Sequence, residues 1–401
     1  MGVLRTNKTF RWLVIARAVN VVGNSVAPIA LAFAVLDMGA TASQLGLVVG
    51  ARSLANVIFL LAGGVLADRV PRNVVLAGSM GTAFLSQAAV TVLIVTGDAS
   101  IGALIALSAV NGIAGAFALP AAAALMGQVI PDEGRREANS INAFATRGAM
   151  IIGAGLGGLL VATLGPGVGL AADTVSFAIA GVLYSLVPRK PVTKPKAHPL
   201  ADLREGWREL IQRPWLWAVV LGFSVFNAVY TGAFNVLGPV LADTSFGRHT
   251  WGFVIAGHTG GMVLGAVIAM KLKVRRPLLL GMTCMFAEPL MILSLAKASP
   301  PVIVAAALVA GIGLQQFSVA WEMSMQTHVP QEKLARVYSW DMLGSFMAIP
   351  IGTALAGPIA AAVGVREAIV GGAVLSAFTI AAVLASRSVR RLTVKPYPVG
   401  V

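Results

Sequence analysis

Residues 63 to 73 read GGVLADRVPRN: two glycines, one acid and two arginines set against the end of a long apolar run. The chain around this stretch is unusually apolar. Of its 401 residues, 57% are hydrophobic and 11% charged, with a mean hydropathy of +0.83, whereas an ordinary soluble domain carries charge on about a quarter of its residues. That is the composition of an integral membrane protein. The formal net charge of +14 does not point to nucleic acid, because no soluble domain with clustered basic residues and aromatic context accompanies it. It points to short basic loops on one side of a bilayer.

Working outward from GGVLADRVPRN, a spanning helix needs about 20 mostly apolar residues. Twelve runs qualify, at 10–38, 42–67, 74–96, 100–129, 139–163, 166–188, 215–242, 250–270, 277–297, 301–328, 336–363 and 366–388. Arg5, Lys8 and Arg11 precede the first run as in a signal peptide, but Trp12 to Leu36 is too long for one and reads as a retained helix. An even number of spans puts both termini on one side. Of the 30 Lys and Arg residues, 24 lie in the termini and loops of that side, against Arg248, Lys297 and Arg366 opposite. The bias makes that side, with both termini, the cytoplasm.

The chemistry of soluble enzymes is missing. A single cysteine, Cys284, excludes an intrachain disulfide and a cysteine-based metal cluster. His198, His249, His258 and His328 form no H-E-x-x-H or other metal spacing, and there is neither a G-x-S-x-G elbow nor a phosphate loop of the G-x-x-x-x-G-K-[ST] type. No enzymatic activity, metal, cofactor or direct use of ATP is expected.

The longest connection, 189–214, opens with RKPVTKPKAHP, whose prolines and charges suit a water-exposed linker. Beyond it, Leu200, Leu203, Trp207, Leu210 and Ile211 share one helical face and Arg204, Glu205, Arg208 and Glu209 lie elsewhere, as in a helix resting in the membrane interface or strapping the molecule. Six helices (1–188) stand before this linker and six (215–401) after it. A shift of 199 superposes Pro131 on Pro330, Glu133 on Glu332, Gly153 on Gly352, Gly158 on Gly357 and Gly165 on Gly364. The expected fold is an all-α membrane protein of two parallel six-helix pseudo-repeats around a central cavity, which is a transporter architecture.

On this map GGVLADRVPRN is the cytoplasmic turn between the second and third helices. It resembles the loop signature of the major facilitator superfamily, carried by Gly64, Asp68, Arg69 and Arg72. VIPDEGRREAN (129–139), WEMSMQTHVPQEKLARV (321–337) and GTALAGPIAAAVG (352–364) resemble the twelve-helix branch with enterobactin exporters and macrolide-efflux proteins. The resemblance implies that Asp68 docks near the start of the eleventh helix and holds the cytoplasmic side closed, a contact suited to a carboxylate at a helix end. Three positions depart from the family pattern. Ala154 stands where the fifth helix often has proline, Ser108 where many proton antiporters have an arginine, and Asn20 and Asn24 where relatives often have an acid.

Ionisable residues inside a span mark function or pairing. Arg17, Arg147, Glu322 and Asp341 lie five to eight residues from the cytoplasmic ends of their helices. Two readings stand for this layer: an inner gate of charge pairs between the halves, or local packing pairs within each half. Glu288, just before Pro289, reads as a buried structural acid ahead of a proton carrier, Asp173 reads as structural, and Arg52 near mid-depth is a candidate contact for an anionic substrate. Gly257, Gly261 and Gly265, and Gly153 and Gly157, have close-packing spacing.

Candidate cavity residues in the first half are Asn20, Asn24, Arg52, Asn111 and Phe117. In the second half they are Asn227, Tyr230, Asn235, Gln315, Gln316 and Trp321. An apolar and aromatic surface with scattered amides suits an amphipathic or hydrophobic small molecule, such as a drug, siderophore or natural product. The leading expectation is a secondary active exporter in a cell membrane, working by alternating access with proton exchange as its drive and needing no oligomer. An importer of a nutrient or siderophore, and a membrane sensor that binds without transport, are the alternatives.

Overall fold

The computed structural model describes residues 7–67, 69–129, 135–188, 199–272 and 274–393, and contains no strand among them. The chain divides into two compact units between Pro195 and Lys196. The first comprises α1 (Lys8–Asp37), α2 (Ala42–Ala67), α3 (Arg72–Thr96), α4 (Ile101–Val129), α5 (Arg135–Leu164) and α6 (Pro166–Ser185). The second comprises α7 (Pro199–Ile211), α8 (Pro214–Phe246), α9 (Arg248–Lys271), α10 (Pro277–Lys297), α11 (Pro300–His328), α12 (Gln331–Phe346 and Ile349–Val363), α13 (Val365–Ala385) and α14 (Arg387–Arg391). All except α7 and α14 are long and apolar enough to cross a membrane, giving the twelve spans. Leu85, Val95 and Phe378, each more than two-thirds exposed, belong to an apolar surface that only lipid would solvate.

Local chemistry sets the helix ends. Asn7 caps α1 by accepting the amide of Phe10 at 2.9 Å. Pro166, Pro214, Pro277 and Pro300 open α6, α8, α10 and α11, where a missing N–H removes nothing from the helix ladder. Gly165 (φ +87°) and Gly364 (φ +100°), 199 residues apart, join α5 to α6 and α12 to α13. A left-handed residue at both joints is most easily glycine.

The units share a packing plan. In the first, α1 packs on α5, α2 on α4, and α3 on α6; in the second, α8 packs on α12, α9 on α11, and α10 on α13. Lipid tails are as apolar as leucine, so these contacts depend on close backbone approach. A Cβ on Gly63 or Gly112 would lie 2.3 or 2.2 Å from the carbonyl oxygens of Ala116 and Arg52. On Gly261 or Gly311 it would lie 2.0 or 1.9 Å from those of Leu308 and His258.

Regularity differs between the units. The helices of the first are unbroken, with α1 and α4 running through Pro28 and Pro120 and α5 continuous through Ala154. In the second, α8 turns π-helical at Gly232–Leu237 and again at Ala242–Phe246. There α10 is interrupted at Met285 and Phe286, and α12 at Met347 and Ala348.

Helix α7 belongs to the second unit, where it packs on α12 and α8. Its apolar face is divided: Leu210 is buried in the core, while Trp207 and Ile211 are nearly half exposed. The acids bind rather than face water. Glu209 accepts from Lys333 and Arg213 at 2.5 Å each, Glu205 accepts from Arg336, and Trp207 tilts against Trp340 at 5.0 Å. The Lys333 and Arg213 donors hold the Glu209 carboxyl below its ordinary range, and Glu209 in turn holds the Lys333 ammonium above its own.

Candidate functional site

Four asparagines and two arginines converge inside the first unit around a cavity of about 330 Å³. Helix α1 supplies Arg17, Asn20 and Asn24, α2 supplies Arg52 and Asn56, and α4 supplies Asn111; Met80, Leu119, Phe177 and Tyr184 add an apolar and aromatic wall. Helical periodicity explains the assembly, since residues three and four apart share a face. Positions 17, 20 and 24 therefore line up on α1, as do 52 and 56 on α2.

The polar groups form a chain. Arg52 Nη2 donates to Asn24 Oδ1 at 2.9 Å, and Asn24 Nδ2 donates to Asn20 through its backbone oxygen at 3.0 Å and Oδ1 at 3.1 Å. Asn56 Nδ2 donates to the Gly112 carbonyl at 3.3 Å. The buried Asn20 Nδ2 has no hydrogen-bond partner among the described residues, and Arg17 has no carboxylate in ion-pair contact there. Behind this wall Asp173 of α6 is 1% exposed. Its Oδ1 accepts from Ser176 at 3.4 Å, and the charge of Arg52 acts on it. One donor without a partner and two guanidiniums in a partly apolar cavity can accept an oxyanion or another hydrogen-bond acceptor while packing an apolar body.

The structure gathers Arg17, Asn20, Asn24, Arg52 and Asn111 here. Arg17, which the sequence groups with the charge layer, lines this cavity. Phe117 packs edge-on against Phe59 at 6.4 Å instead. Asn56 and Tyr184 were missed, although Asn56 follows Arg52 by four residues and so shares its face. Arg147 is half-buried on α5. Asp68 falls outside the described residues; Gly64 lies in the last turn of α2, Arg69 is exposed, and Arg72 opens α3.

Candidates in the second unit have other partners. Asn227 Nδ2 donates to the Ser345 carbonyl at 3.0 Å, and Gln316 Nε2 to the Gly265 carbonyl at 2.7 Å. Gln315 is buried beside Gly265, whose missing Cβ lets α9 and α11 close on it. Tyr230 stacks between Phe226 (5.7 Å) and Phe234 (5.2 Å), and Asn235 is half-buried on the π-helical turn. Trp321 donates to Asp341 Oδ2 at 3.0 Å, and Ser345 to Asp341 Oδ1 at 3.2 Å. Glu322 is exposed within the unit and accepts from Gln326 at 2.6 Å.

Among the described residues no group of three metal-ligating side chains occurs. By sequence His258 has no metal spacing, and Glu288 reads as a structural acid ahead of a proton carrier. They are a pair, His258 Nε2 and Glu288 Oε1 being 2.8 Å apart. No sequence period links α9 to α10, so nothing in the spacing could have revealed it.

Comparison with known proteins agrees with this architecture. The chain is 28% identical over 374 residues to the enterobactin exporter EntS of Escherichia coli O1:K1 / APEC, covering 90% of this chain and 87% of the relative. It is 27% identical, over the same length, to EntS of Escherichia coli O127:H6 (strain E2348/69 / EPEC). Among solved structures it resembles in fold a POT family transporter in complex with 5-aminolevulinic acid (TM-score 0.76, 12% identity, 94% of this chain and 96% of that one). It also resembles the nucleoside transporter NupG (TM-score 0.72, 12% identity, 94% and 98%). The sequence matches the Major Facilitator Superfamily over residues 13–247. With twelve spans in two units of common plan and a polar cavity inside the membrane, the chain belongs to the major facilitator superfamily and is a multi-pass membrane transporter, not an enzyme.

Proposed function

We propose that this transporter exports an amphipathic small molecule with an anionic or acceptor-rich head, driven by proton exchange. The observation that carries the reading is the convergence of Arg17, Arg52 and the unsatisfied Asn20 amide on one cavity beside an apolar wall. Buried cations inside a membrane are costly enough to require a counter-charge or a function. A substrate oxyanion satisfies both guanidiniums, and its apolar part fills the side lined by Met80, Leu119 and Phe177. The likeness to enterobactin exporters supports the outward direction.

In the same reading, the Gly64–Arg72 loop with Asp68 is the conformational switch, and Arg147, Glu322 and Asp341, together with Arg17, are gate charges whose pairing alternates with transport. Both termini face the cytoplasm in this reading, which the excess of basic residues in the loops of that side supports. Cysteines at Thr193 and Ser100, in a Cys284→Ala background, label from opposite sides of the membrane; labelling from one side overturns the orientation.

The deciding experiment uses proteoliposomes loaded with the anionic dye carboxyfluorescein, with an imposed pH gradient and sided protein. Dye moves toward the extracellular face in wild type and does so at least about tenfold more slowly in Arg52→Gln, the loss of one charge-assisted contact. Equal flux in the two proteins removes the cavity from the substrate path, and movement in the opposite direction makes the protein an importer.

A further inference from the structure

We propose that the buried His258–Glu288 pair is a proton-binding site of the second unit, with Glu288 Oε2 as the atom that takes the proton. Glu288 is fully buried, 11 residues after Pro277 and 9 before Lys297, and therefore near the middle of its span. One carboxyl oxygen meets His258 Nε2 at 2.8 Å, while the other, Oε2, has no hydrogen-bond partner among the described residues. A carboxylate with half of its acceptor capacity unsatisfied in an apolar interior is a poor purely structural element, because that arrangement loses solvation without regaining hydrogen bonds. It is a good place to put a proton. In the unloaded state the carboxylate accepts from the imidazole Nε2–H; in the loaded state Oε2 carries the proton.

Tyr230 is the titratable group that faces the pair from a neighbouring helix. Helix α8 faces the pair with Tyr230 and Phe234, whose rings lie 6.3 and 6.0 Å from the imidazole. Helix α11, packed on both α9 and α10, has no titratable side chain between Pro300 and Trp321, and α13 has none between Ala368 and Ala385. On α9 the remaining charged or titratable groups, Arg248, His249 and Lys271, are at the ends; on α10 they are Cys284, one turn before Glu288, and Lys297 at the terminus.

The backbone is built to move at this point. Helix α10 is interrupted at Met285 and Phe286, immediately before Glu288, and Pro289 cannot donate to the ladder. Phe234 sits on the π-helical turn Gly232–Leu237 of α8, a distortion common at functional positions. The backbone at His258, by contrast, is closely packed: its carbonyl lies 1.9 Å from where a Cβ of Gly311 would stand. An imidazole carried on a closely packed backbone, facing a carboxyl at an interrupted helix, allows the carboxyl to leave its partner and meet water when that side opens.

The inference supplies the proton carrier for the proposed exchange, so it rests on that reading for its role but not for its existence. The test is infrared difference spectroscopy of the full-length protein in lipid between pH 5 and pH 9, with carboxyfluorescein flux measured on the same preparations. A protonated-carboxyl band that comes and goes with pH in wild type, is absent in Glu288→Gln and has a displaced midpoint in His258→Asn establishes the site. Accumulation of dye against its gradient is then lost in Glu288→Gln. If His258→Asn fails to fold, Glu288→Asp with a displaced midpoint serves the same purpose. A carboxyl signal that does not change with pH, or one unchanged by Glu288→Gln, makes the pair a packing contact and overturns the proposal. A titrating band with no dye movement in wild type sets aside the substrate assignment and leaves the proton site standing.

Discussion

Arg52 of α2 and His258 of α9 occupy corresponding places in the two units: their carbonyls lie against Gly112 and Gly311, glycines 199 residues apart. The correspondence extends to the first helix of each unit, where Gly153 approaches the Val22 carbonyl and Gly352 that of Ala228. At the offset that relates Arg52 to His258 and Val22 to Ala228, which is longer than that of the glycines, Asn24, which holds Arg52, corresponds to Tyr230, whose ring faces His258. The backbone plan is therefore shared and the chemistry is not. One unit places a permanent cation among amides around a cavity, and the other places a titratable pair among stacked aromatics. Proline sharpens the difference, since Pro289 and Pro350 accompany interruptions in α10 and α12 while Pro28 and Pro120 leave α1 and α4 intact. Duplication fixes where helices touch; side chains at the touching points are free to specialise.

The largest test of this comparison is steric. Gly112→Leu and Gly311→Leu each drive side-chain atoms into a backbone oxygen, and no rotamer avoids it. Overpacking of this kind costs about 3 kcal/mol or more, so both variants should show large falls in melting temperature in detergent, of similar size. A large fall in one with a small fall in the other would end the equivalence of α2–α4 and α9–α11.

A smaller effect is expected from the charges behind the cavity. Arg52→Gln removes the cation whose charge acts on the buried Asp173 from beyond ion-pair distance, and coupled neighbours of this kind interact by about 1 to 2 kcal/mol. Asp173→Asn in the same molecule should restore about 1 to 2 kcal/mol of that loss while leaving transport impaired. Additive destabilisation would mean that the two residues do not communicate.

The smallest effect concerns α7. Glu209 is held below its ordinary range, so its contribution is complete above about pH 4 and is lost as pH falls through the lowered value. Lys333 is held above its ordinary range, so its contribution is complete below about pH 10 and is lost as pH rises through the raised value. Limited proteolysis beside α7 should be slowest between these limits and accelerate outside them. Glu209→Gln should flatten the acid side of that profile; an unchanged profile would make the ion pairs incidental.

The fold was legible because its signal is coarse. Apolar runs of membrane length can be counted, and glycines at Gly153, Gly165, Gly352 and Gly364 repeat at one interval. The first-unit cavity was partly legible for the same reason that Asn56 could have been added to it, namely that helical spacing reports a shared face. Spacing does not report which face meets which helix. Gln315 and Gln316 have the composition of cavity residues, yet Gly265 brings α9 so close that one is packed against it and the other bonds its carbonyl. His258 and Glu288, 30 residues apart on different helices, become partners only through that packing.

The docking of α7 bears on how such a molecule could be divided or assembled. By sequence this helix belongs to the connection between halves, but by contact it is a cap on the second, secured through Glu205, Glu209 and Trp207 to the start of α12. A cut between Pro195 and Lys196 would separate two pieces that each retain their own core, with the cap on the piece it stabilises. The covalent connection then acts as a means of keeping two parts at high local concentration, and co-expression of the pieces becomes a direct measure of how much of the transporter's integrity depends on being one chain.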